Sequence, residues 1–222
     1  KLILVFSIFY MTIFLIAEVT AVAFLIKYIS GTELWITAFI VIVCSLIYTL
    51  YGGLRASLIT DNIQFFVFVA LLIICLLSIT SMEANNFSFE IIKKNKPNLL
   101  STSYIPNYTA GLTFFIAVAA TNLFHQGNWQ RVYAAKNYKV LKKSLIISFA
   151  IIIPIVFFMG FSGLVAVSQN PKVIPDLAFF SLLLKENLVV FSVVIIVLAI
   201  SLTISSIDTL INAISSLIIV DL

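Results

Sequence analysis

The opening run Leu2–Ile26 contains twenty-five residues and a single charged one, Glu18. Wound as an α-helix at 1.5 Å per residue it reaches about 38 Å, longer than a bilayer's hydrocarbon core of about 30 Å. Five further apolar runs follow, Leu34–Tyr51, Asn62–Ser81, Ala110–Phe124, Leu145–Val167 and Leu188–Ile219, separated by segments that hold Gly, Pro, Asn and most of the charge. Lipid offers no hydrogen bonds, so a spanning segment must satisfy its own backbone, and an open sheet does not. The expectation is an all-α polytopic membrane protein of six transmembrane helices, forming a single transmembrane domain over residues 1–222. Composition closes the soluble alternative. The chain is 62% hydrophobic and 10% charged, against about 45–50% and about 25% in soluble domains. A cytosolic enzyme is thereby excluded.

Thirteen Lys and Arg face nine Asp and Glu, for a net charge of +4, and the cations fall in short clusters between apolar runs. That distribution excludes nucleic-acid binding and leaves the lipid bilayer as the first partner. Cys44 and Cys75 each lie in an apolar run with no second Cys or His at ligand spacing, which points to neither a disulfide nor a transition-metal site. The sequence opens at Lys1, enters an apolar run too long for a signal peptide's core of about 7–15 residues, and stops at Asp221-Leu222. These ends are those expected of an internal piece of a longer membrane protein, packed in life against the remaining core helices of the full-length chain.

Six spans place both ends on one side. Lys1, Arg55, Arg131, Lys136, Lys139, Lys142 and Lys143 then share a side, against Lys27, Lys93, Lys94, Lys96, Lys172 and Lys185 on the other, seven to six. The cluster from Arg131 to Lys143 decides the orientation by the positive-inside rule. The loop from about 126 to 143 is expected in the cytoplasm and that from about 82 to 109 outside, in a plasma or inner cell membrane. The sixth span reaches about 48 Å as one helix and must tilt or project from the bilayer. Pro154 inside the fifth removes one helix hydrogen bond and kinks it.

Ionisable groups within a span cost about 2.5–3.5 kcal/mol at the bilayer centre and demand a partner or a wet cavity. Glu18 lies in the first span, Asp61 opens the third and Asp208 lies within the sixth. In the sixth, Ser201, Ser205, Asp208, Asn212 and Ser215 recur every three or four residues and so share a helical face, widened by Ser206 and Thr209. Two readings of this stripe stand level. Interhelical hydrogen bonds among hydroxyls are common in bundles, at about 0.6 kcal/mol each. Hydroxyls with freed backbone carbonyls also suit a hard cation such as Na⁺. The fourth span ends in Asn122, His125 and Gln126, whose spacing puts them on one face to hydrogen-bond a polar solute or to hydrate a helix end beside the anchor Trp129. His125 is the one histidine and has no HExxH motif, nucleophile or paired carboxylate beside it. Nothing suggests an enzyme or an organic cofactor.

Three segments together resemble the sodium:solute symporter family of sodium-coupled sugar, proline and urea-type carriers. The first is Tyr51-Gly52-Gly53-Leu54-Arg55-Ala56 followed by Thr60-Asp61-Asn62-Ile63-Gln64. The second is Gln130-Arg131-Val132-Tyr133-Ala134-Ala135-Lys136, and the third Ser205-Ser206-Ile207-Asp208-Thr209 with Asn212-Ala213 and Ser215-Ser216. The resemblance implies a five-plus-five inverted-repeat fold of which the six spans are core helices three to eight. It implies a Na⁺ site whose half in this chain is the Leu202 carbonyl with Ser205 and Ser206, and a cytoplasmic Na⁺ pathway past Asp61, with Asp208 acting at longer range. The stretch from Asn122 to Trp129 does not reproduce the pattern of the sugar or the proline branch, so sugar, amino acid, urea, carboxylate and vitamin solutes all stay open. The expected activity is Na⁺-coupled import of a small polar solute. The alternatives are a sensory membrane domain of the same fold and a proton-coupled carrier using Glu18 or Asp208.

Overall fold

The computed structural model describes residues 1–83, 87–184 and 189–221. Among them the chain is all-helical, with no strand. The eight α-helices are α1 (Leu2–Ser30), α2 (Leu34–Glu83), α3 (Phe89–Asn95), α4 (Ile105–Phe124), α5 (Gln126–Tyr133), α6 (Tyr138–Gln169), α7 (Ala178–Leu184) and α8 (Val189–Ser216). Four stretches, Leu2–Ser30, Thr49–Thr80, Tyr138–Gln169 and Val189–Ile219, are long and apolar enough to cross a membrane, and Leu34–Ile47 and Pro175–Leu184 are shorter apolar helices. The protein is therefore an all-α polytopic membrane protein.

The ends of these helices follow local chemistry. Gly31 terminates α1 in the left-handed conformation (φ 75°), its N–H donating to the Lys27 carbonyl at 2.8 Å. Asn137 caps α6, its side chain accepting from the Val140 N–H at 2.9 Å. Helix α2 carries one non-helical residue, Gly53 at φ 53° and ψ −151°, a conformation closed to residues with a Cβ. The chain turns there and is helical again from Leu54. Asp61 consequently lies two turns inside a helical arm, where its side chain faces neighbouring helices and caps nothing.

The expected loops contain more helix than hydropathy indicated. Between about 82 and 109 lie α3 and a 3-10 turn, Pro97–Leu100, and between 126 and 143 the helices α5 and α6 leave only residues 134–137 outside regular structure. Leu188 and Lys185 fall outside the described residues.

The chain divides into two compact units, Lys1–Ile73 with Ala120–Tyr133 and Val189–Leu222, and Ile74–Ala119 with Ala134–Leu188. In the first, α1 packs along α8 through fully buried Met11, Leu210 and Ala213, flanked by Ile8, Phe14 and Leu15. Ala213 lets the two backbones approach, which is how membrane helices gain packing without a hydrophobic driving force. Helix α5 also packs on α8. In the second unit α6 packs against α7 and α3, with Phe87 and Phe161 ring centroids 5.4 Å apart and Ile92 buried. Phe149, Ile153 and Phe157 of α6 are exposed. Water would penalise that surface and an apolar surrounding does not.

Candidate functional site

The first unit contains a cavity of about 330 Å³ lined by Asp61, Gln64, Phe65 and Phe68 of α2 and by Ser201, Leu202, Ser205 and Ser206 of α8. Each helix contributes residues three or four positions apart, so each presents one face. On α8 this is the upper part of the polar stripe seen in the sequence. The Ser206 hydroxyl donates back to the Leu202 carbonyl at 3.4 Å, and Ser205 Oγ donates to Asp61 Oδ1 at 2.6 Å. Gln64 Oε1 is buried without a hydrogen-bond partner. An orphaned acceptor is costly in protein and more so in lipid. The lining thus includes residues that offer hydroxyl, amide and carboxylate oxygens, the donor set of a hard cation, together with the rings of Phe65 and Phe68, whose centroids are 5.8 Å apart.

Asp61 also meets Arg131, which does not line the cavity. The guanidinium Nη2 donates to Asp61 Oδ2 at 2.5 Å and to Thr209 Oγ1 at 2.6 Å, one bond for each of its two hydrogens. Thr209 Oγ1 in turn donates to the Ser205 carbonyl at 2.8 Å. The side chains of Arg131 and Asp61 are 29% and 22% exposed, so the pair is neither a screened surface contact nor a fully dehydrated one. Helix α5 delivers Arg131 because it lies close on α8. A Cβ added to buried Gly127 would stand 2.5 Å from Thr209 Cγ2, so only glycine permits this approach. Gln130 fixes the same register, its Nε2 donating to Ser216 Oγ at 2.7 Å.

The remaining sequence candidates separate. Asp208 is fully buried and does not line the cavity; Thr60 Oγ1 donates to its Oδ2 at 3.4 Å. Its side chain points from α8 into the packing against α2. Glu18 is half-buried on α1 and does not line the cavity. Asn122, His125 and Gln126 do not share a continuous helical face, because the helix breaks at His125 between α4 and α5. The break is held by Trp129 Nε1 donating to the Leu123 carbonyl at 2.9 Å and by Asn128 Nδ2 donating to Asn122 Oδ1 at 2.5 Å. His125 lies edge-on to Phe14, centroids 6.0 Å apart, and burial, reinforced by the charge of Arg131, holds its imidazole below the ordinary value of 6.5. Arg131, Thr209, Gln64 and Gly127 are the residues that sequence reasoning did not place in the site. Arg131, Gln64 and Thr209 stood in the family-like segments, and Thr209 also widened the polar stripe; those were their only signals.

Long apolar helices with a cavity between two of them, mostly apolar but bordered by a carboxylate, an amide and three serines, define a polytopic membrane protein that carries polar groups in one place. Its class is narrowed by likeness to known proteins. The sodium:solute symporter family model matches residues 2–222, and the chain belongs to that family. Over 179 residues it is 28% identical to the spermidine transporter DUR31 of Candida albicans (strain SC5314 / ATCC MYA-2876), covering 79% of this chain and 33% of that protein. The chain thus spans about one third of the length of this curated relative. No solved structure matches it.

Proposed function

We propose that the protein is a Na⁺-coupled symporter that moves a small polar organic solute into the cell, with Na⁺ held at the Leu202 carbonyl, Ser205 and Ser206 and passing Asp61 on its way to the cytoplasm. The observation that carries this reading is that those four residues, from two helices, line one cavity together with Gln64, whose Oε1 is unpaired. Na⁺ satisfies several oxygen ligands without demanding the fixed geometry of a transition metal. The cavity, at about 330 Å³, also has room for several waters at about 30 Å³ each, so a cation there need not be stripped in one step. Asp208 acts on the cation through its charge, from outside the cavity lining.

In this reading the six apolar runs are core helices three to eight of the inverted-repeat fold, the segment 126–143 faces the cytoplasm, and Asn122, His125 and Gln126 border the solute path. Coupling is linkage: bound Na⁺ favours the arrangement that binds solute, and solute favours Na⁺ equally. A potential of about 100 mV contributes roughly 2.3 kcal/mol per inward charge, or about fifty-fold accumulation. An organic amine is the solute class to try first. The relative DUR31 is a spermidine transporter, and the cavity that Asp61 lines also holds the rings of Phe65 and Phe68, whose faces attract ammonium groups.

The test is uptake of radiolabelled amines and amino acids by cells expressing the protein, with Na⁺ replaced by choline at constant ionic strength. Uptake should fall to background in choline, and Asp61→Asn should raise the half-saturating Na⁺ concentration about tenfold. Uptake driven equally by a pH gradient without Na⁺ would replace this reading with proton coupling. Saturable solute binding without uptake would replace it with a sensory domain.

A further inference from the structure

We propose that Arg131 is a tethered competitor for the cation site: its guanidinium occupies the carboxylate that Na⁺ needs, and the strength of its hold on Asp61 and Thr209 sets the Na⁺ concentration at which the site fills. The inference rests on the sodium reading above and adds a residue that controls the site without lining it.

Four observations place Arg131 in this role. Both oxygens of Asp61 are engaged, Oδ1 by the Ser205 hydroxyl at 2.6 Å and Oδ2 by Arg131 Nη2 at 2.5 Å. Asp61 lines the cavity and Arg131 does not, so the guanidinium holds the carboxylate without itself bordering the cavity. The same nitrogen is anchored to Thr209 Oγ1 at 2.6 Å, and Nη1 reaches the carbonyl of Gly127 on its own helix at 3.4 Å, so the charge is held in place at three points. Finally, Gly127 brings α5 against α8 at a distance no other residue permits. The register that delivers the guanidinium is thus built into the backbone.

The chemistry follows. A guanidinium stays charged at any physiological pH, so no proton loss releases Asp61. Its charge cancels that of the carboxylate, and a cation entering the cavity meets a neutral pair until Arg131 is displaced. Because Arg131 is tethered, its effective concentration at Asp61 is high and fixed, and Na⁺ must compete with it by mass action. A residue that merely braced α5 against α8 would change stability and leave the Na⁺ midpoint where it was.

The experiment needs no knowledge of the solute. The melting temperature of the purified protein in lipid nanodiscs is titrated with NaCl against choline chloride at constant ionic strength, for the wild type, Arg131→Gln, Arg131→Lys, and Asp61→Asn with and without Arg131→Gln. The midpoint of the Na⁺-induced rise should fall tenfold or more in Arg131→Gln. It should fall several-fold in Arg131→Lys, whose ammonium cannot reproduce the paired Asp61 and Thr209 bonds. In the Asp61→Asn background, removing Arg131 should leave the midpoint unchanged, since the competition acts through that carboxylate. A wild-type midpoint retained in Arg131→Gln overturns the proposal; if that variant does not fold, a wild-type midpoint in Arg131→Lys overturns it equally. Absence of any Na⁺ response in the wild type and in the Arg131 variants instead overturns the sodium reading itself.

Discussion

Ser205 donates its hydroxyl hydrogen to Asp61 Oδ1 at 2.6 Å, a bond between α8 and α2 across 144 positions of sequence. With its proton so directed, the serine keeps its remaining lone pairs for other donors or a cation. Ser206, one residue on, makes only a 3.4 Å contact to the Leu202 carbonyl of its own helix. The two serines therefore differ in what their hydroxyls do for the fold, and substitution separates structure from ion binding.

Ser206→Ala should leave the melting temperature of the Na⁺-free protein within error while raising the half-saturating Na⁺ concentration for uptake. Each tenfold rise corresponds to about 1.4 kcal/mol of lost binding. Ser205→Ala should do both, destabilising by about 1–2 kcal/mol because an acceptor of Asp61 loses its donor. Paired melting and Na⁺-activation curves check this. Stability losses without any change in Na⁺ dependence would leave both serines with a structural role alone.

Gly127→Ala places a methyl against Thr209 Cγ2 and His125 Cε1, 2.5 and 3.0 Å from the ideal Cβ position. Overpacking of this kind costs about 1–3 kcal/mol, and here it pushes Arg131 away from Thr209. The melting temperature should fall. Adding Thr209→Ser, which removes the methyl and keeps the hydroxyl, should restore a large part of the loss. A double variant as unstable as Gly127→Ala alone would show that α5 meets α8 elsewhere.

His125 is held below its ordinary pKa of 6.5 by burial first and by the charge of Arg131 second. The folded protein therefore prefers the neutral imidazole. A histidine with a depressed folded pKa contributes stability that is complete above the unfolded value, and that contribution is lost as pH falls toward and through the folded one. Melting temperature should decline on acidification below about pH 6.5. His125→Gln, which cannot ionise, should flatten this limb of the profile. Equal acid sensitivity in the variant would assign the effect to the carboxylates.

The orientation drawn from the cluster Arg131–Lys143 is testable by cysteine labelling. Asn137 is a poor site, since its side chain caps α6 through the Val140 N–H; losing such a cap costs about 1 kcal/mol. Lys136 is exposed and outside regular structure. With Cys44 and Cys75 replaced, Lys136→Cys in intact cells should resist an impermeant maleimide and react once the membrane is opened. Rapid labelling from outside would reverse the topology.

The sequence by itself determined the solvent and the secondary structure. Runs such as Leu2–Ile26 require lipid because of their length and lack of charge, and lipid requires helices because backbone groups there have no other partners. It also placed Ser201, Ser205 and Ser206 on one side of α8, since periodicity is a property of a single helix. What it did not determine is which polar groups meet. Arg131 reads in sequence as one more cation of a cytoplasmic cluster, yet it is bonded to Asp61, 70 positions away, and to Thr209, 78 away. Asp208 reads as part of the same polar stripe, yet it is buried beside Thr60, off the cavity wall. Asn122, His125 and Gln126 read as one face, yet the helix breaks among them. Hydropathy and spacing are sums over neighbours in the chain, whereas these contacts depend on where helices cross and how closely they approach. In this protein the tertiary structure decides that at Gly127, where the missing side chain admits α5 to α8 and brings Arg131 to the carboxylate.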